Sequence, residues 1–376
     1  MFFLAYNSTL KKSFSQTINS KSKLEKKDSS RKKLIFPRDH GSHLDYGIEW
    51  WYVTGWLKEK NSKQIAYQLT FFRSKTSLGY ENKSRFSPEH LIFAHATLIS
   101  KDYGGMESAQ KAGRLGPGLV RCSIEDTNVF FEDWFINRDL FSDSYDLNAE
   151  GKEFSYRLKL KPRLDSKNLI LRGKNGLSRK GPKEDQTSWY YSRPNLETNG
   201  VVILKDKKFD VSGLSWLDHE WSSELLHPDA VGWDWIGINL IDGGSLMAFR
   251  IRKSDGSTLW HDFSMLNKDG EVHLAVQRDK SFSVQLLPER DISPKWLVLK
   301  EWTSPHSFAK YPVSQKITFG FNELEVYPLI LDQEVDARMS TGGFYWEGGV
   351  ILKLNNKFFG KGFLELTGYE SPLRIG

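Results

Sequence analysis

The sequence predicts an all-β protein built from two packed β-barrel domains with few helices. From residue 34 onward, short runs of alternating apolar residues are separated by Gly, Asn, Asp and Pro. Amphipathic patterns with a 3.6-residue period are scarce, so we expect fewer than ~15% of residues to be helical. Aromatic residues make up 14% of the chain. Such a share favours strands and apolar cavities.

The predicted strands follow in order along the chain. Glu49–Leu57 and Gln64–Phe72 flank the polar turn Lys58–Lys63 and predict a hairpin. The later predicted strands are Leu91–Ser100, Asn128–Asn137, Phe154–Pro162, Leu169–Gly173, Gly200–Leu204, Phe209–Trp221, Gly232–Ile241, Ser245–Lys253, Thr258–Leu266, Val272–Arg278, Trp296–Trp302, Glu323–Pro328, Tyr345–Leu354 and Lys357–Gly368.

A polar loop divides the chain into two halves. Gly173–Pro182 is rich in Gly, Lys and Asn, and the charged stretch Lys183–Gln186 follows it. We therefore predict an N-terminal domain at 34–190 and a C-terminal domain at 195–376. Each half is long enough for a barrel of about eight to ten strands.

The positive charge of the chain is concentrated in its first 33 residues. Residues 1–33 carry nine basic and two acidic side chains, whereas the remainder carries 44 basic and 45 acidic ones. This tail, rich in Ser, Lys and Asn, predicts a disordered segment, or the remnant of a leader, that is able to contact an anionic membrane surface. The neutral body predicts no nucleic-acid partner. The apolar start, Met1–Tyr6, is too short for the core of a signal peptide, so the sequence holds no complete one.

Several classes of site are excluded by composition and motif. The single cysteine, Cys122, rules out a disulfide framework and multi-cysteine metal sites. Phosphate-binding loops, dinucleotide fingerprints, serine-hydrolase elbows and zinc-protease motifs are missing from the sequence. We predict no cofactor and no metal.

The first candidate cluster surrounds the beginning of the first strand. Phe36-Pro-Arg-Asp-His-Gly-Ser-His-Leu-Asp45 places two His and two Asp within seven positions, just before Glu49-Trp-Trp-Tyr52. A metal site, a hydrogen-bonded polar loop and the mouth of a ligand cavity remain open. Alternation places Glu49 and Trp51 on one face of the strand.

The second candidate cluster is Val211-Ser-Gly-Leu-Ser-Trp-Leu-Asp-His-Glu-Trp221. Alternation puts His219 and Trp221 on one face, and Asp218 and Glu220 on the other. Three consecutive ionisable residues between Trp residues are costly in a half-buried strand unless they are paired. A structural hydrogen-bond network and an acid–base centre both remain open.

Further acidic and aromatic groups lie later in the chain. Leu331-Asp-Gln-Glu334 precedes Tyr345-Trp-Glu-Gly348, and Gly362-Phe-Leu-Glu-Leu-Thr-Gly-Tyr-Glu370 closes the chain. His95 shares a face with Phe93 and Thr97, where a hydrogen-bonded core histidine is the first interpretation.

These motifs together resemble those of a known family. The resemblance rests on Phe36–His43, Glu49–Trp56, Phe93–Ala96, Trp189–Pro194, Val211–Trp221, Gly232–Trp235, Asp332–Glu334, Tyr345–Gly348 and Glu365–Tyr369. In this order they are similar to the carotenoid 1,2-hydratase (hydroxyneurosporene synthase) superfamily, in its bacterial branch of secreted lipocalin-like proteins associated with ABC-transport operons. The resemblance implies two lipocalin-like barrels, export to the periplasm or membrane surface, and a transporter complex as a partner.

The resemblance also implies a chemistry for part of the second cluster. Hydratases of this superfamily protonate an isoprenoid double bond, and water captures the cation. Their His-x-Trp pair corresponds to His219 and Trp221. Their Tyr-x-Asp pair corresponds to a position within Ser245–Arg252, which holds no carboxylate. Asp218, Glu220 and Asp234 are therefore the candidate acids.

Two functions follow as hypotheses, with a third from another class. We predict a Trp-lined cavity for a hydrophobic lipid or isoprenoid ligand, and either simple binding or hydration of the ligand by a hydro-lyase activity. The predicted catalytic residues are His219, Trp221, Asp218 and Glu220. The predicted ligand-binding residues are Glu49, Trp51, His95, Trp233, Trp235, Trp346 and Glu347. The third hypothesis is a scaffold partner of a transporter that has no cavity.

Overall fold

The structure, a computed structural model, describes residues 33–76, 87–116, 118–223, 226–277, 294–319 and 322–373, with the backbone alone described at 272–277 and 319. The predicted tail at 1–33 lies outside this range except for Lys33. Of the described residues, 63% are in strands and 2% in helix. The predicted all-β class and the scarcity of helix are therefore confirmed.

The described part of the chain contains two 3₁₀ turns, Arg38–His40 and Lys101–Tyr103, and 23 strands. The strands of the first sheet are β1 Ile48–Glu59, β2 Gln64–Lys75, β3 His90–Ser100, β4 Gly105–Arg114, β5 Val120–Cys122, β6 Asn128–Phe131, β7 Trp134–Asp139, β8 Ser144–Glu150, β9 Phe154–Pro162, β10 Ile170–Leu171, β11 Leu177–Arg179, β12 Thr187–Leu204 and β13 Lys207–Ser222. Those of the second sheet are β14 Gly232–Leu240, β15 Ser245–Arg252, β16 Thr258–Leu266, β17 Val272–Gln277, β18 Lys295–Thr303, β19 Lys310–Phe319, β20 Asn322–Pro328, β21 Glu334–Asp336, β22 Phe344–Leu354 and β23 Lys357–Leu366.

The first sheet forms a nearly closed barrel, and the second forms a half-barrel. The first runs in the order β4-β3-β2-β1-β13-β12-β9-β8-β7-β6-β5, and the second runs β17-β16-β15-β14-β23-β22-β20-β19-β18. The paired strands are antiparallel throughout the described residues. This architecture fits two lipocalin-like domains, as the sequence predicts.

The chain passes from the first sheet to the second later than the predicted boundary. The polar loop before residue 190 contains β11, which pairs with β12 inside the first sheet. β13 then pairs with β1 along twelve residues and ends at Ser222, and the second sheet begins at Gly232. The loop reads as a boundary from composition alone. The barrel needs β12 and β13 because they connect β1 to β9.

The described residues form three apolar cores. The first lies inside the first barrel and contains Trp51, Trp134, Tyr191 and Trp221. The second is formed by residues of the second sheet and contains Trp346. The third lies between the sheets, where Tyr52, Trp56, Tyr190, Trp216, Trp235 and Phe363 pack together. The two sheets are therefore joined by a continuous aromatic interface.

Trp56 connects the sheets within this interface. Its indole nitrogen donates a hydrogen bond to the Gly362 carbonyl oxygen at 2.8 Å, and the indole is buried. On the facing strand, a Cβ at Gly349 would lie 2.8 Å from Ala66 Cβ and 3.1 Å from the Trp56 ring. Only glycine therefore lets β22 approach β1 and β2 this closely.

We expect Trp56→Phe to lower the free energy of unfolding by about 2–3 kcal/mol, because the smaller phenyl ring leaves a cavity and one buried hydrogen bond is lost. The measurement is urea denaturation followed by circular dichroism. Trp302→Phe, at a half-exposed position on the edge strand β18, is the control and should change stability by less than about 0.5 kcal/mol. Equal effects of the two substitutions would contradict the role of Trp56.

Candidate functional site

The paired strands β1 and β13 divide the predicted site residues between two opposite faces. Trp51 lies opposite His219 and Tyr52 lies opposite Asp218 in the antiparallel register. Because side chains alternate along a strand, one face of this pair points into the first barrel and the other points toward the second sheet. The residues predicted to form one polar centre therefore form two separate groups.

The inward group is centred on Glu49. Its carboxylate accepts hydrogen bonds from His43 Nδ1 at 2.8 Å, His219 Nε2 at 3.0 Å and Arg73 Nε at 3.0 Å. These four side chains, which we call the ion-pair cluster, are buried in the first barrel. Burial opposes ionisation, but Arg73 and the two imidazoles hold the pKa of Glu49 well below its usual range. Glu49 is therefore a carboxylate.

Aromatic rings enclose the ion-pair cluster. The His43 ring stacks on Trp221 at 3.6 Å between centroids, and the His219 ring stacks on Trp51 at 5.0 Å. The Tyr191 hydroxyl is hydrogen-bonded to His219 Nδ1 at 3.1 Å. This environment excludes water, and burial lowers the pKa of His219. Its imidazole points into the barrel and makes no contact with open solvent.

Three ligand-type atoms of the ion-pair cluster could in principle surround a cation. Atoms of His43, Glu49 and His219 lie within 4.8 Å of one another. However, Arg73 already neutralises Glu49 and also donates to the carbonyl oxygens of Tyr46 and His43. A divalent ion would add positive charge beside a buried guanidinium, at a large desolvation cost. We therefore describe the cluster as a structural ion pair that joins β1, β2 and β13 to the loop before β1.

The outward face of β1 and β13 borders a cavity of about 540 Å³ between the two sheets. Its walls are mainly aromatic and aliphatic. From the first sheet come Trp50, Tyr52, Phe72, His95, Tyr190, Asp218 and Glu220. From the second sheet come Trp233, Trp235, Phe249, Ile251, Tyr345, Glu347 and Glu365. We call this space the inter-sheet cavity.

Two glutamates stand side by side in the wall formed by the second sheet. Glu347 on β22 lies directly opposite Glu365 on β23, so their Cα atoms are separated by roughly 5 Å. Burial, reinforced by the negative charge of Glu365, raises the pKa of Glu347 well above its usual range. Burial also raises the pKa of Glu365, despite the hydrogen bond that Trp233 Nε1 donates to it at 3.1 Å.

Glu347 carries an unused hydrogen-bonding atom. The side chain is 1% exposed, and Oε1 has no hydrogen-bond partner among the described residues. The Tyr52 hydroxyl is also buried, and it lies beside the Glu347 carboxyl group and interacts with it. Buried polar atoms are rarely left unpaired without a functional reason. Oε1 of Glu347 is therefore an uncompensated oxygen in the wall of the cavity.

The first sheet contributes two further acidic groups with different surroundings. Asp218 accepts hydrogen bonds from the Tyr190 hydroxyl and Trp216 Nε1, both at 2.7 Å. Burial raises the pKa of Asp218 to about 6. Glu220 instead forms an ion pair with Lys180 at 3.1 Å. The cavity thus contains one compensated carboxylate and three carboxyl groups that burial drives toward the protonated form.

His95 bridges the two sheets at the rim of the cavity. Its Nδ1 is 2.8 Å from the Tyr345 hydroxyl, and its Nε2 is 2.7 Å from Ser340 Oγ. Because Ser340 donates to Gln110 Oε1 at 2.6 Å, its oxygen accepts from His95 Nε2, and Nδ1 accepts from Tyr345. Burial lowers the pKa of His95 to about 4, so the ring is neutral. The Tyr345 proton is therefore directed toward His95, and its oxygen lone pairs are free to face Glu347.

The structure places the predicted site residues in three environments. Asp218, Glu220, His95, Trp233, Trp235 and Glu347 line the inter-sheet cavity. Glu49, Trp51, His219 and Trp221 are inside the first barrel, and Trp346 is in the core of the second sheet. Trp346 precedes Glu347 on β22, so alternation points it to the opposite face. Asp234, a candidate acid, is paired with Arg250 at 2.6 Å and Arg252 at 2.8 Å.

Sequence reasoning missed several residues of the cavity wall. Glu365 appears in a quoted motif but not among the predicted site residues, and Tyr52, Tyr190 and Tyr345 were omitted as well. The alternation rule could have found Tyr52, which shares its face with Trp50. The pairing of Glu365 with Glu347 depends on a register shift between Leu352 and Lys353. A bulge of this kind leaves no clear signal in one sequence.

Comparison with known proteins defines the family to which this β-barrel chain belongs. Residues 27–369 match the AttH-like family, and the chain belongs to it. A candidate AttH protein from Nitrosomonas europaea, solved by crystallography, is 38% identical, with a TM-score of 0.80 over 91% of this chain and 98% of that one. No protein of curated function matches the sequence.

Two more distant structures share the fold. Kievitone hydratase from Nectria haematococca is 12% identical, with a TM-score of 0.64 over 90% of this chain and 94% of that one. CghA is 11% identical, with a TM-score of 0.50 over 87% of this chain and 89% of that one.

In the described part of the chain, no helix combines the length and apolarity needed to cross a bilayer.

We expect Arg73→Met to lower the free energy of unfolding by about 3–5 kcal/mol, because it leaves the Glu49 carboxylate buried without its cation. Chemical denaturation at neutral pH measures this change. Arg157→Met, at an exposed position on β9, is the matched control and should alter stability by less than about 0.5 kcal/mol. A loss below about 1 kcal/mol for Arg73→Met would refute the structural role of the ion-pair cluster.

A second prediction concerns the pH dependence of stability. The pKa of Asp218 is about 6 in the folded protein, against about 4 in an unfolded chain. Below about pH 4 the group is protonated in both states. As the pH rises through 6, the free energy of unfolding of the wild type falls by about 3 kcal/mol, because Asp218 must ionise in a buried site. The Asp218→Asn variant has no such group and does not show this loss. The difference in unfolding free energy, Asn variant minus wild type, should therefore increase from pH 4 to pH 8.

The control for this titration lies on the same strand. Asp210→Asn is at an exposed position of β13, where burial imposes no cost on the charge. Both variants are measured by thermal unfolding in matched buffers across the same pH range, and the change for Asp218→Asn should exceed that for Asp210→Asn. A flat profile for Asp218→Asn would contradict the assigned protonation.

Proposed function

We propose that this protein binds an apolar alkene in the inter-sheet cavity and hydrates its carbon–carbon double bond. The observation that carries the proposal is Glu347, a buried carboxyl group with an unpartnered oxygen in an aromatic cavity. A carboxylic acid held neutral by burial can donate a proton at neutral pH. Hydration of an alkene needs such a donor, because its first step is protonation of a carbon atom of the double bond.

The surroundings of Glu347 support the second half of the reaction. Protonation of an alkene leaves a carbocation, and the faces of Trp rings attract positive charge. Trp50, Trp233 and Trp235 all border the cavity. Its volume of about 540 Å³ is within the ~300–1,000 Å³ typical of small-molecule sites. We therefore expect a hydrophobic ligand, of lipid or isoprenoid type, that carries an alkene.

The hydration proposal agrees with the named relative of the same fold, kievitone hydratase. It changes the roles that the sequence resemblance implied for His219 and Trp221. Neither residue borders the cavity. In this proposal both have a structural role, because their packing inside the barrel holds β13 in position. Asp218 and Glu220, on the opposite face of β13, remain in contact with the ligand.

Export to the periplasm or membrane surface, association with an ABC transporter and contact of the basic tail with anionic lipid rest on the sequence alone. They remain proposals. The scaffold hypothesis requires a protein without a cavity, and the inter-sheet cavity favours ligand binding instead.

We expect purified protein, incubated with farnesol in oxygen-18 water, to form a tertiary alcohol that carries the label, because water supplies the hydroxyl oxygen. Glu347→Gln should reduce the rate at least 100-fold, since an amide cannot donate the proton. Mass spectrometry of the extracted product measures both the mass shift and the rate.

The control is Glu59→Gln, at a buried position of β1 outside the cavity, which should retain the activity. Lipid extracted from the pure protein should also be tested in the same way. Recovery of every bound alkene unchanged and unlabelled would favour simple binding and refute hydration.

A further inference from the structure

Hydration requires a base as well as an acid, because the attacking water must lose a proton. The inter-sheet cavity contains two adjacent carboxyl groups of unequal surroundings, Glu347 and Glu365. They are opposite residues of a β-hairpin and face the same space. The geometry points to a proton-sharing dyad in which Glu347 is the acid and Glu365 is the base. This inference rests on the proposed function.

The surroundings assign the two roles. Glu347 is fully enclosed, and its hydroxyl neighbours are Tyr52 and Tyr345. The Tyr345 proton is engaged by His95, so the tyrosine oxygen is suited to accept from a protonated Glu347. Burial and the negative charge of Glu365 favour the neutral acid and outweigh the hydrogen bonds with Tyr52 and Tyr345.

Glu365 has contacts of the opposite kind. Trp233 Nε1 donates to its Oε2 at 3.1 Å, and a hydrogen bond donated to a carboxyl group favours its ionised form. Part of its surface remains exposed, in keeping with its place in the cavity wall. Asp218 and Glu220 act on Glu365 from across the cavity and oppose its ionisation. Lys180 neutralises Glu220.

One proton shared by two carboxyl groups is the stable state of such a pair. Two carboxylates so close in an apolar wall repel each other, so ionisation of one suppresses ionisation of the other. In the proposed dyad the pair shares one proton and carries one negative charge. An acid and a base are then present together in the resting protein.

The dyad completes the hydration cycle with atoms and charges in balance. The Glu347 hydroxyl proton forms a new C–H bond with the π electrons of the alkene, which leaves a tertiary cation. Water forms the C–O bond, and its excess proton passes to the Glu365 carboxylate. Transfer of that proton from Glu365 to Glu347 restores the resting state, so no exchange with bulk solvent is required.

The first test needs no substrate. Infrared difference spectra of the full chain, titrated from pH 4 to pH 10, report the C=O band of protonated carboxyl groups. We expect Glu365→Gln to move the highest carboxyl titration, that of Glu347, to lower pH by at least one unit, because a neighbouring negative charge is removed. Glu59→Gln should leave it in place. An unmoved titration in Glu365→Gln would overturn the shared proton.

The second test separates the acid from the base. Incubation with farnesol in heavy water reports protonation as deuterium in the recovered alkene, and hydration as alcohol. Glu365→Gln should keep the deuterium exchange but lose at least 100-fold of the hydration rate, whereas Glu347→Gln should lose both. Near-isosteric Gln preserves packing, and circular dichroism confirms that each variant is folded.

The outcomes distinguish this inference from the proposed function. Hydration by the wild type that persists in Glu365→Gln overturns the dyad and leaves hydration intact. Absence of both alcohol and deuterium exchange in the wild type overturns the proposed function, and the acid and base roles with it. A shifted carboxyl titration together with selective loss of hydration in Glu365→Gln supports the dyad.

Discussion

The structure depends on two strands that are covered on both faces. β1 and β13 pair along twelve residues, and their alternating side chains enter two different cores. Every second residue belongs to the first barrel, and the others face the second sheet. Where Glu49–Tyr52 lies opposite Asp218–Trp221, both faces are largely buried, so each ionisable group in this stretch must be paired or must change its protonation state. The ion-pair cluster and the inter-sheet cavity are the two results of this constraint.

The two faces satisfy the constraint in opposite ways. Inside the barrel, Glu49 meets Arg73 at 3.0 Å and two imidazoles, so its charge is fully compensated. Between the sheets, Glu347 and Glu365 meet each other, two tyrosines and an indole, with Lys180 committed to Glu220. A compensated charge stabilises a fold but is poorly suited to proton transfer. An uncompensated carboxyl group keeps its proton and can transfer it.

Much of this arrangement could be predicted from the sequence. The β class, the hairpin β1–β2 and the opposite placement of His219 and Asp218 follow from period-2 patterning. Other elements could not be found this way. Asn128–Asn137 reads as one strand, but a turn with Glu132 at φ 56° divides it into β6 and β7. β4, with half-exposed polar residues such as Gln110 and Lys111, has no alternation strong enough to predict a strand.

The sequence by itself determined which residues alternate, and therefore that His219 and Asp218 could not share one pocket. It could not decide which face would meet a cavity, because both faces carry Trp and acidic residues. Packing of the second sheet decided that, since it covers the face of Tyr52 and Asp218. The register shift in the β22–β23 hairpin decided which residue of β23 lies opposite Glu347. One extra residue exchanges the faces of a strand, and only the folded sheet places Glu365 beside Glu347.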